Sequence, residues 1–227
     1  MADLTITIDG PAASGKSTVG RLLAEKLGAS FLDTGAMYRA VTLAAMQAGV
    51  NMGDEAELLC VLEKSGFKFT VGEGIMAVYV DGVDVTEQIR EPEVTANARH
   101  IASSAKLREK LVAMQRRFAA GENQVVTEGR DQGTVVFPDA DVKFYLTAEP
   151  AERARRRQME LRAQGQEKSL EEIQSAIEAR DKSDASRAIG PLKPADDAIV
   201  VDSTNLSIEE VVEELLWLVK ERCLKKQ

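Results

Sequence analysis

Gly10-Pro11-Ala12-Ala13-Ser14-Gly15-Lys16-Ser17 sets two glycines, a lysine and a hydroxyl at the spacing G-x-x-x-x-G-K-[ST]. Small residues and glycine let a backbone curl around a polyphosphate with its N–H groups turned inward. At this spacing Lys16 reaches the β- and γ-phosphates, and Ser17 offers its hydroxyl to Mg²⁺. The chemistry indicated is capture of a nucleoside triphosphate.

Three further segments carry groups suited to anions or to a base. In Asp33-Thr34-Gly35-Ala36-Met37-Tyr38-Arg39, Thr34 is placed to cap a helix, while Arg39 either turns its guanidinium to a second phosphate or faces solvent. In Glu128-Gly129-Arg130-Asp131-Gln132-Gly133-Thr134, two glycines bracket an Arg-Asp pair. Arg130 presents a planar fork to phosphate, and Asp131 presents acceptors that match the amino group of a base. Glu128 either holds Mg²⁺ through water or solvates a turn. Arg180, Asp184 and Arg187 stand at spacings that share one helix face, a pattern that taken alone is also that of a surface ion-pair ladder.

The elements that must position these groups read as alternating β and α. Short β-rich runs at 4–8, 29–32, 124–127, 142–146 and 198–202 alternate with helical patterns, which predicts a parallel sheet with helices on both faces. Leu4-Thr5-Ile6-Thr7-Ile8 precedes the phosphate loop, and Val19, Leu22, Leu23 and Leu27 give the following helix its buried stripe. The segments at 33–39 and 128–134 follow strands, so both belong at the carboxyl edge of the sheet, where doubly wound folds bind ligands. Ser207 with Glu210 predicts a capping box opening the last helix.

Two stretches interrupt this rhythm. Alternating residues at 67–71 and 77–80, separated by Gly72-Glu73-Gly74 and followed by Asp81-Gly82 and Val83-Asp84-Val85, predict a small antiparallel insert. A helical stretch is then expected from about Pro92 to Ala120. From Pro150 to Pro194 the chain is rich in Arg, Glu and Gln, with two helical patterns joined around Gly165-Gln166. Its low apolar content predicts either a lid that covers a site or a solvated helical hairpin.

At 227 residues the chain is long enough for one α/β domain with small insertions. A formal net charge of −8 argues against general nucleic-acid binding, so a polyanionic ligand needs locally concentrated arginines such as Arg153, Arg155, Arg156, Arg157 and Arg162. Cys60 and Cys223 lack partners at metal spacing and are expected to be packing residues, and His100 to lie on a helix surface or cap. The first residues lead into a strand with no signal-peptide pattern, and no apolar run approaches ~18 residues, so a cytoplasmic protein is expected.

Gly10 to Thr18, Leu32 to Arg39, Gly129-Arg130-Asp131-Gln132-Gly133-Thr134-Val135-Val136-Phe137-Pro138-Asp139-Ala140 and Arg180 to Ala188 together resemble the bacterial cytidylate kinase family over nearly the full chain. The phosphate loop alone is common to many families; the Gly129 to Ala140 stretch and the insert are more specific. The resemblance implies a P-loop NTPase-type α/β fold with a five-stranded parallel sheet. To this it adds an antiparallel insert at about 63–95 that binds the nucleoside monophosphate and a helical lid at about 150–168, in one kinase domain over 1–227.

It also implies transfer of the γ-phosphate of ATP, with Mg²⁺, to CMP or dCMP. By resemblance Gly10, Pro11, Ala12, Ala13, Ser14, Gly15, Lys16, Ser17 and Thr18 bind ATP, and Thr34, Arg39 and Arg130 belong to the CMP site, the two arginines on its phosphate. Arg108 and Asp131 face cytosine, Arg180 and Asp184 reach the sugar, and Arg187 lies beside the monophosphate. Arg156 in the lid closes over the ATP phosphates, and Lys16, Arg39, Arg130, Arg156 and Arg187 make the catalytic set. Where relatives commonly carry a base-contacting serine, this chain has Arg99. The implied partners are small nucleotides, with no nucleic acid or membrane, and the family expectation is a monomer.

Phosphoryl transfer asks for positioning and charge neutralisation, because a phosphate oxygen is already the nucleophile and needs no general base. Cytosine's N4 amino group and O2/N3 acceptors match a carboxylate and a guanidinium, whereas uracil sets O4 and N3–H against them, so CMP and dCMP are expected to be preferred over UMP. A kinase for a sugar acid would share the phosphate loop and the arginines but would not need the Arg-Asp pair; a nucleotide switch that transfers nothing would leave many arginines without a phosphate and would form no acceptor-dependent ADP.

Overall fold

The computed structural model describes residues 2–72, 75–163 and 165–224. The chain runs β1 (Leu4–Asp9), α1 (Lys16–Leu27), β2 (Ser30–Asp33), α2 (Thr34–Gln47) and α3 (Glu55–Lys64) into β3 (Phe67–Gly72), β4 (Ile75–Val80) and β5 (Val83–Asp84). It continues through α4 (Pro92–Ser103), α5 (Ala105–Ala120), β6 (Gln124–Gly129), β7 (Val142–Thr147), α6 (Pro150–Ala163), α7 (Leu170–Ala185), β8 (Ile199–Asp202) and α8 (Ile208–Leu224). The strands make a five-stranded sheet in the order β2-β6-β1-β7-β8 and a separate sheet β3-β4-β5.

The β1–β7 and β7–β8 ladders are parallel, with Ile6 opposite Val142 and Phe144 opposite Ile199. β1 is central and buried from Thr5 to Asp9, as a parallel strand covered on both faces must be. Its alternating β-branched residues leave no solvated face, which is why it reads as an unbroken apolar run with threonines.

Two compact units make up the chain, Met1–Asp3 with Ala29–Val125, and Leu4–Gly28 with Val126–Gln227. In the first, Ala36, Met37, Ala40, Val41 and Ala44 form the buried stripe of α2, and Ile101, Leu107 and Leu111 that of α4 and α5. The antiparallel insert is here as expected, in the register Phe67 to Val80 through Gly72 to Ile75. Glu73 and Gly74, the expected turn residues, lie outside the described residues. In the second unit Ile6, Ile8, Leu23, Phe144, Leu146, Val212 and Leu215 are buried core residues. Ser207 and Glu210 exchange the reciprocal bonds of a capping box at the start of α8 (2.8 and 3.2 Å).

The helical stretch expected from about Pro92 to Ala120 is made of two helices, α4 and α5. Ser104 is extended (φ −82°, ψ 124°), and its hydroxyl both caps Leu107 N–H at 3.2 Å and donates to Glu55 at 2.7 Å. A serine hydroxyl that satisfies an orphan N–H competes with helix continuation, and here it wins. Ser104→Ala is expected to destabilise the protein by about 1 kcal/mol, seen as a lower urea midpoint at unchanged slope.

Cys60 is exposed rather than packed, because it falls on the outer face of α3 opposite Leu58 and Leu62. His100 is half-buried in the last turn of α4. Trp217 on α8 is 60% exposed. Among the described residues no helix is long and apolar enough to cross a membrane.

Candidate functional site

The loop between β1 and α1 has the geometry its glycines predict. Gly10 (φ 151°) and Gly15 (φ 89°) take conformations that L side chains avoid, and Ala13 joins them at φ 58°. Lys16, the first residue of α1, is buried, and its ammonium donates to Pro11 O at 2.6 Å and Ser14 Oγ at 3.2 Å. Burial pushes its pKa down to about 7; Arg130 and Arg180 push the same way, while Glu128 and Asp9 oppose. Ser17 and Thr18 are exposed in the first turn of α1.

β6 runs on to Gly129, so Glu128 lies inside the strand, buried, and accepts a 2.8 Å bond from Ser17 Oγ. A hydroxyl and a carboxylate side by side at a phosphate loop are hard oxygens of the kind Mg²⁺ takes, usually completed by substrate phosphates. Among the described residues no group of three or more His, Cys, Asp or Glu could hold a metal.

Asp9, the last residue of β1, was not singled out from sequence. Its carboxylate accepts the N–H groups of Gln132 and Gly133, each at 2.8 Å, and so fixes the wide turn Gln132–Val136 that follows Arg130 and Asp131. Burial raises Asp9 to about 6, against those two hydrogen bonds. A signal was available: an acid directly before Gly10 at the carboxyl end of a buried strand has to find donors.

Arg130 and Arg187 converge on one carboxylate. Asp184 is buried and accepts from Arg130 Nε at 2.9 Å and from Arg187 Nη2. The shared helix face expected for Arg180, Asp184 and Arg187 holds for the first two; α7 ends at Ala185, and Arg187 folds back from beyond it. Arg180 is exposed, and Asp131 is buried after Arg130.

The arginines of α6 do not form one anion site, because the helical period spreads them around the axis. Arg153 is buried and donates from Nε to Ala148 O and from Nη1 to Ala12 O, both at 3.0 Å, and also pairs with Asp181. Asp181 accepts Ala12 N–H at 2.8 Å. Arg155 pairs with Glu152, and Arg157 with Glu160. Arg156 is tied to Glu152 at 3.0 Å and to Ser203 Oγ at 3.0 Å. The expected join at Gly165 is present (φ 73°), with Gln166 N–H returning to Leu161 O at 2.9 Å. The hairpin is not purely solvated, since Ala154, Leu161, Ile173 and Ile177 bury a small cluster with Ala12 of the phosphate loop.

In the first unit Asp33, not Thr34, caps α2, accepting Ala36 N–H at 2.8 Å; Thr34 is the first helical residue and buried. The carboxylate at the strand end is already extended (ψ 94°) and so takes the cap position one residue earlier. Arg39 Nη2 meets Asp33 Oδ2 at 3.2 Å, and Arg39 Nε is buried without a hydrogen-bond partner among the described residues. Arg108 is buried, its guanidinium 5.8 Å from the Tyr38 ring centre. Arg99 is exposed on α4.

The family model described as cytidylate kinase matches residues 6–221. A cytidylate kinase of Rhodopirellula baltica is 48% identical over 218 residues, 96% of this chain and 93% of that protein. One of Geobacter sulfurreducens is 47% identical over 219 residues, 96% and 94% of the two chains. In fold alone, the chain is similar to the crystal structure of an uncharacterized protein from Eubacterium ventriosum, with TM-score 0.52, 13% identity, and coverage of 96% of this chain and 99% of that one.

Proposed function

The chain belongs to the cytidylate kinase family, and on that premise we propose that it moves the γ-phosphoryl group of ATP to CMP or dCMP, giving ADP and CDP or dCDP. The observation that carries the reading is electrostatic. The phosphate-loop lysine is buried where Arg130 and Arg180 both depress its pKa, and Asp184 gathers Arg130 and Arg187. Cations packed so closely are costly unless anions join them, and two phosphorylated substrates supply those anions.

An oxygen of the CMP phosphate attacks the γ-phosphorus in line as the bond to the β-phosphate oxygen breaks, so ADP leaves and no phosphoenzyme forms. The loop from Gly10 to Thr18 holds ATP, with Lys16 on its terminal phosphates. Ser17, joined by Glu128, would hold Mg²⁺, which when bound offsets phosphate charge. Arg39 and Arg130 bind the CMP phosphate with Arg187 beside it, and the buried Nε of Arg39 supports that role as a donor that meets no acceptor among the described residues. Arg108 and Asp131 read cytosine, and Arg180 and Asp184 face the sugar. Because both oxygens of Asp184 already accept from arginines, its main work is to aim Arg130 and Arg187. The insert at about 63–95 closes on CMP and the hairpin at about 150–168 on ATP, with Arg156 leaving Ser203 for the phosphates, which excludes water from the transfer.

The test is ADP release with MgATP and CMP, dCMP, UMP, AMP or no acceptor, for the native protein and Asp131→Ala. CMP- and dCMP-dependent turnover exceeding UMP by one to several decades is expected, and losing the acid should cost CMP about 1–3 kcal/mol in kcat/KM. ADP formed at one rate with or without acceptor contradicts the kinase reading; comparable use of UMP contradicts the role of Asp131.

A further inference from the structure

The Arg153–Asp181 pair has no part in the phosphate chemistry assigned above, yet it grips the donor loop at a single residue. Ala12 gives its N–H to Asp181 Oδ1 and its C=O to Arg153 Nη1, while Arg153 Nε is anchored on Ala148 O beyond β7. The Ala12 side chain is sealed by Ala154, Leu161, Ile173 and Ile177. Next to it Ala13 sits at φ 58°, a left-handed conformation that costs a non-glycine residue about 1–2 kcal/mol and persists only where its surroundings impose it. One residue before Ala12, Pro11 O receives the Lys16 ammonium. The pair therefore holds the part of the loop that determines where Lys16 lies.

Asp181 is on α7, and so is Asp184, three residues or about 4.5 Å further along the helix axis. Asp184 holds Arg130 and Arg187. A single rigid turn of helix thus carries the carboxylate that fixes the donor loop and the carboxylate that aims the acceptor-phosphate arginines. Neither can shift along the axis without the other.

We propose that Arg153 and Asp181 are positioning residues that clamp Ala12 to α7 and thereby couple the two nucleotide sites, so that occupancy of the ATP loop tightens the grip on the acceptor phosphate and the reverse. This rests on the reading of the loop and the arginines as ATP and CMP sites. Coupling of this kind is reciprocal and typically 5- to 150-fold, and it needs a physical element that both sites bias, which α7 supplies.

Titration calorimetry of CMP, alone and with a non-hydrolysable ATP analogue, tests it in the native protein, Asp181→Asn, Arg153→Met and Leu161→Ala. Asparagine keeps an acceptor for Ala12 N–H and the side-chain shape but loses the charge that orders Arg153. Leu161→Ala loosens the apolar packing of the same hairpin around Ala12 but leaves both hydrogen bonds of the clamp in place. The native protein is expected to bind CMP at least about fivefold more tightly with the analogue present. In Asp181→Asn and Arg153→Met that gain should fall below about twofold with the affinity for CMP alone nearly unchanged, while Leu161→Ala lowers the melting temperature and keeps the coupling. Undiminished coupling in Asp181→Asn, equal loss in Leu161→Ala, or no coupling in the native protein overturns the proposal. Absence of CMP-dependent ADP release in the native protein would instead remove the kinase reading beneath it.

Discussion

Lys16→Met is expected to lower kcat by about 10²–10³-fold, the effect of losing one preorganised donor to the transferring group. Stability should change little, because burial penalises the ammonium but not an apolar chain of similar length, and Pro11 O keeps the Ser14 hydroxyl at 3.1 Å. The titration of Lys16 gives a second readout. Burial, then Arg130 and Arg180, hold the group near 7, so at pH 8 most of it is uncharged, Glu128 on β6 and Asp9 on β1 notwithstanding. Phosphate oxygens beside it favour the ammonium and raise its pKa, so ATP must bind with uptake of a proton on the alkaline side of 7. ATP affinity therefore weakens as pH climbs above 7. Calorimetry of ATP binding at pH 8 in buffers of different ionisation enthalpy should register uptake approaching one proton in the native protein and much less in Lys16→Met. Equal uptake in both would mean that another group titrates.

Gly10→Ala is expected to be the most damaging small change in the chain. An added Cβ would lie 2.0 Å from Leu146 O and 3.0 Å from Leu146 C, and φ is 151°. The obstacle is the backbone of β7, which the β1 ladder holds in place, so neither a rotamer change nor a small loop movement relieves it. A loss of about 4 kcal/mol or more, with most of the protein insoluble at physiological temperature, is anticipated. Gly28→Ala is the matched comparison: φ is 65° and nothing lies within 4 Å of the added atom, so only the backbone cost of about 1 kcal/mol applies. Urea unfolding of both variants separates close approach from conformational strain. A Gly10→Ala protein as stable as Gly28→Ala would contradict the strand spacing at the loop.

Sequence made the sheet legible because its strands are short runs of β-branched, aromatic or aliphatic residues bounded by glycine, proline or aspartate, and a buried central strand such as β1 cannot vary much from that pattern. The phosphate loop was legible because its chemistry depends on neighbours along the chain. What escaped were groups whose partners are far away in sequence. Asp9 meets Gln132 and Gly133, and Ala12 meets Asp181 169 residues on; no local period encodes such pairs. The α6 arginines look like one cluster in sequence, but successive residues on a helix point in different directions, so Arg153 turned inward to the loop while Arg155 faces solvent. The helix break at Ser104 was hidden because the apolar spacing continues across it. Only the hydroxyl's choice of Leu107 N–H and Glu55 marks the stop.

The sole tryptophan, Trp217, lies on the outer face of α8 with three-fifths of its surface in water. Its indole is already largely in water in the native state, and it stands on α8, away from the phosphate loop and the α6–α7 hairpin in sequence. Tryptophan emission is therefore expected to change little on unfolding. Emission from this residue reports on the solvent around α8, and an optical signal for loop or hairpin closure has to be introduced at those segments.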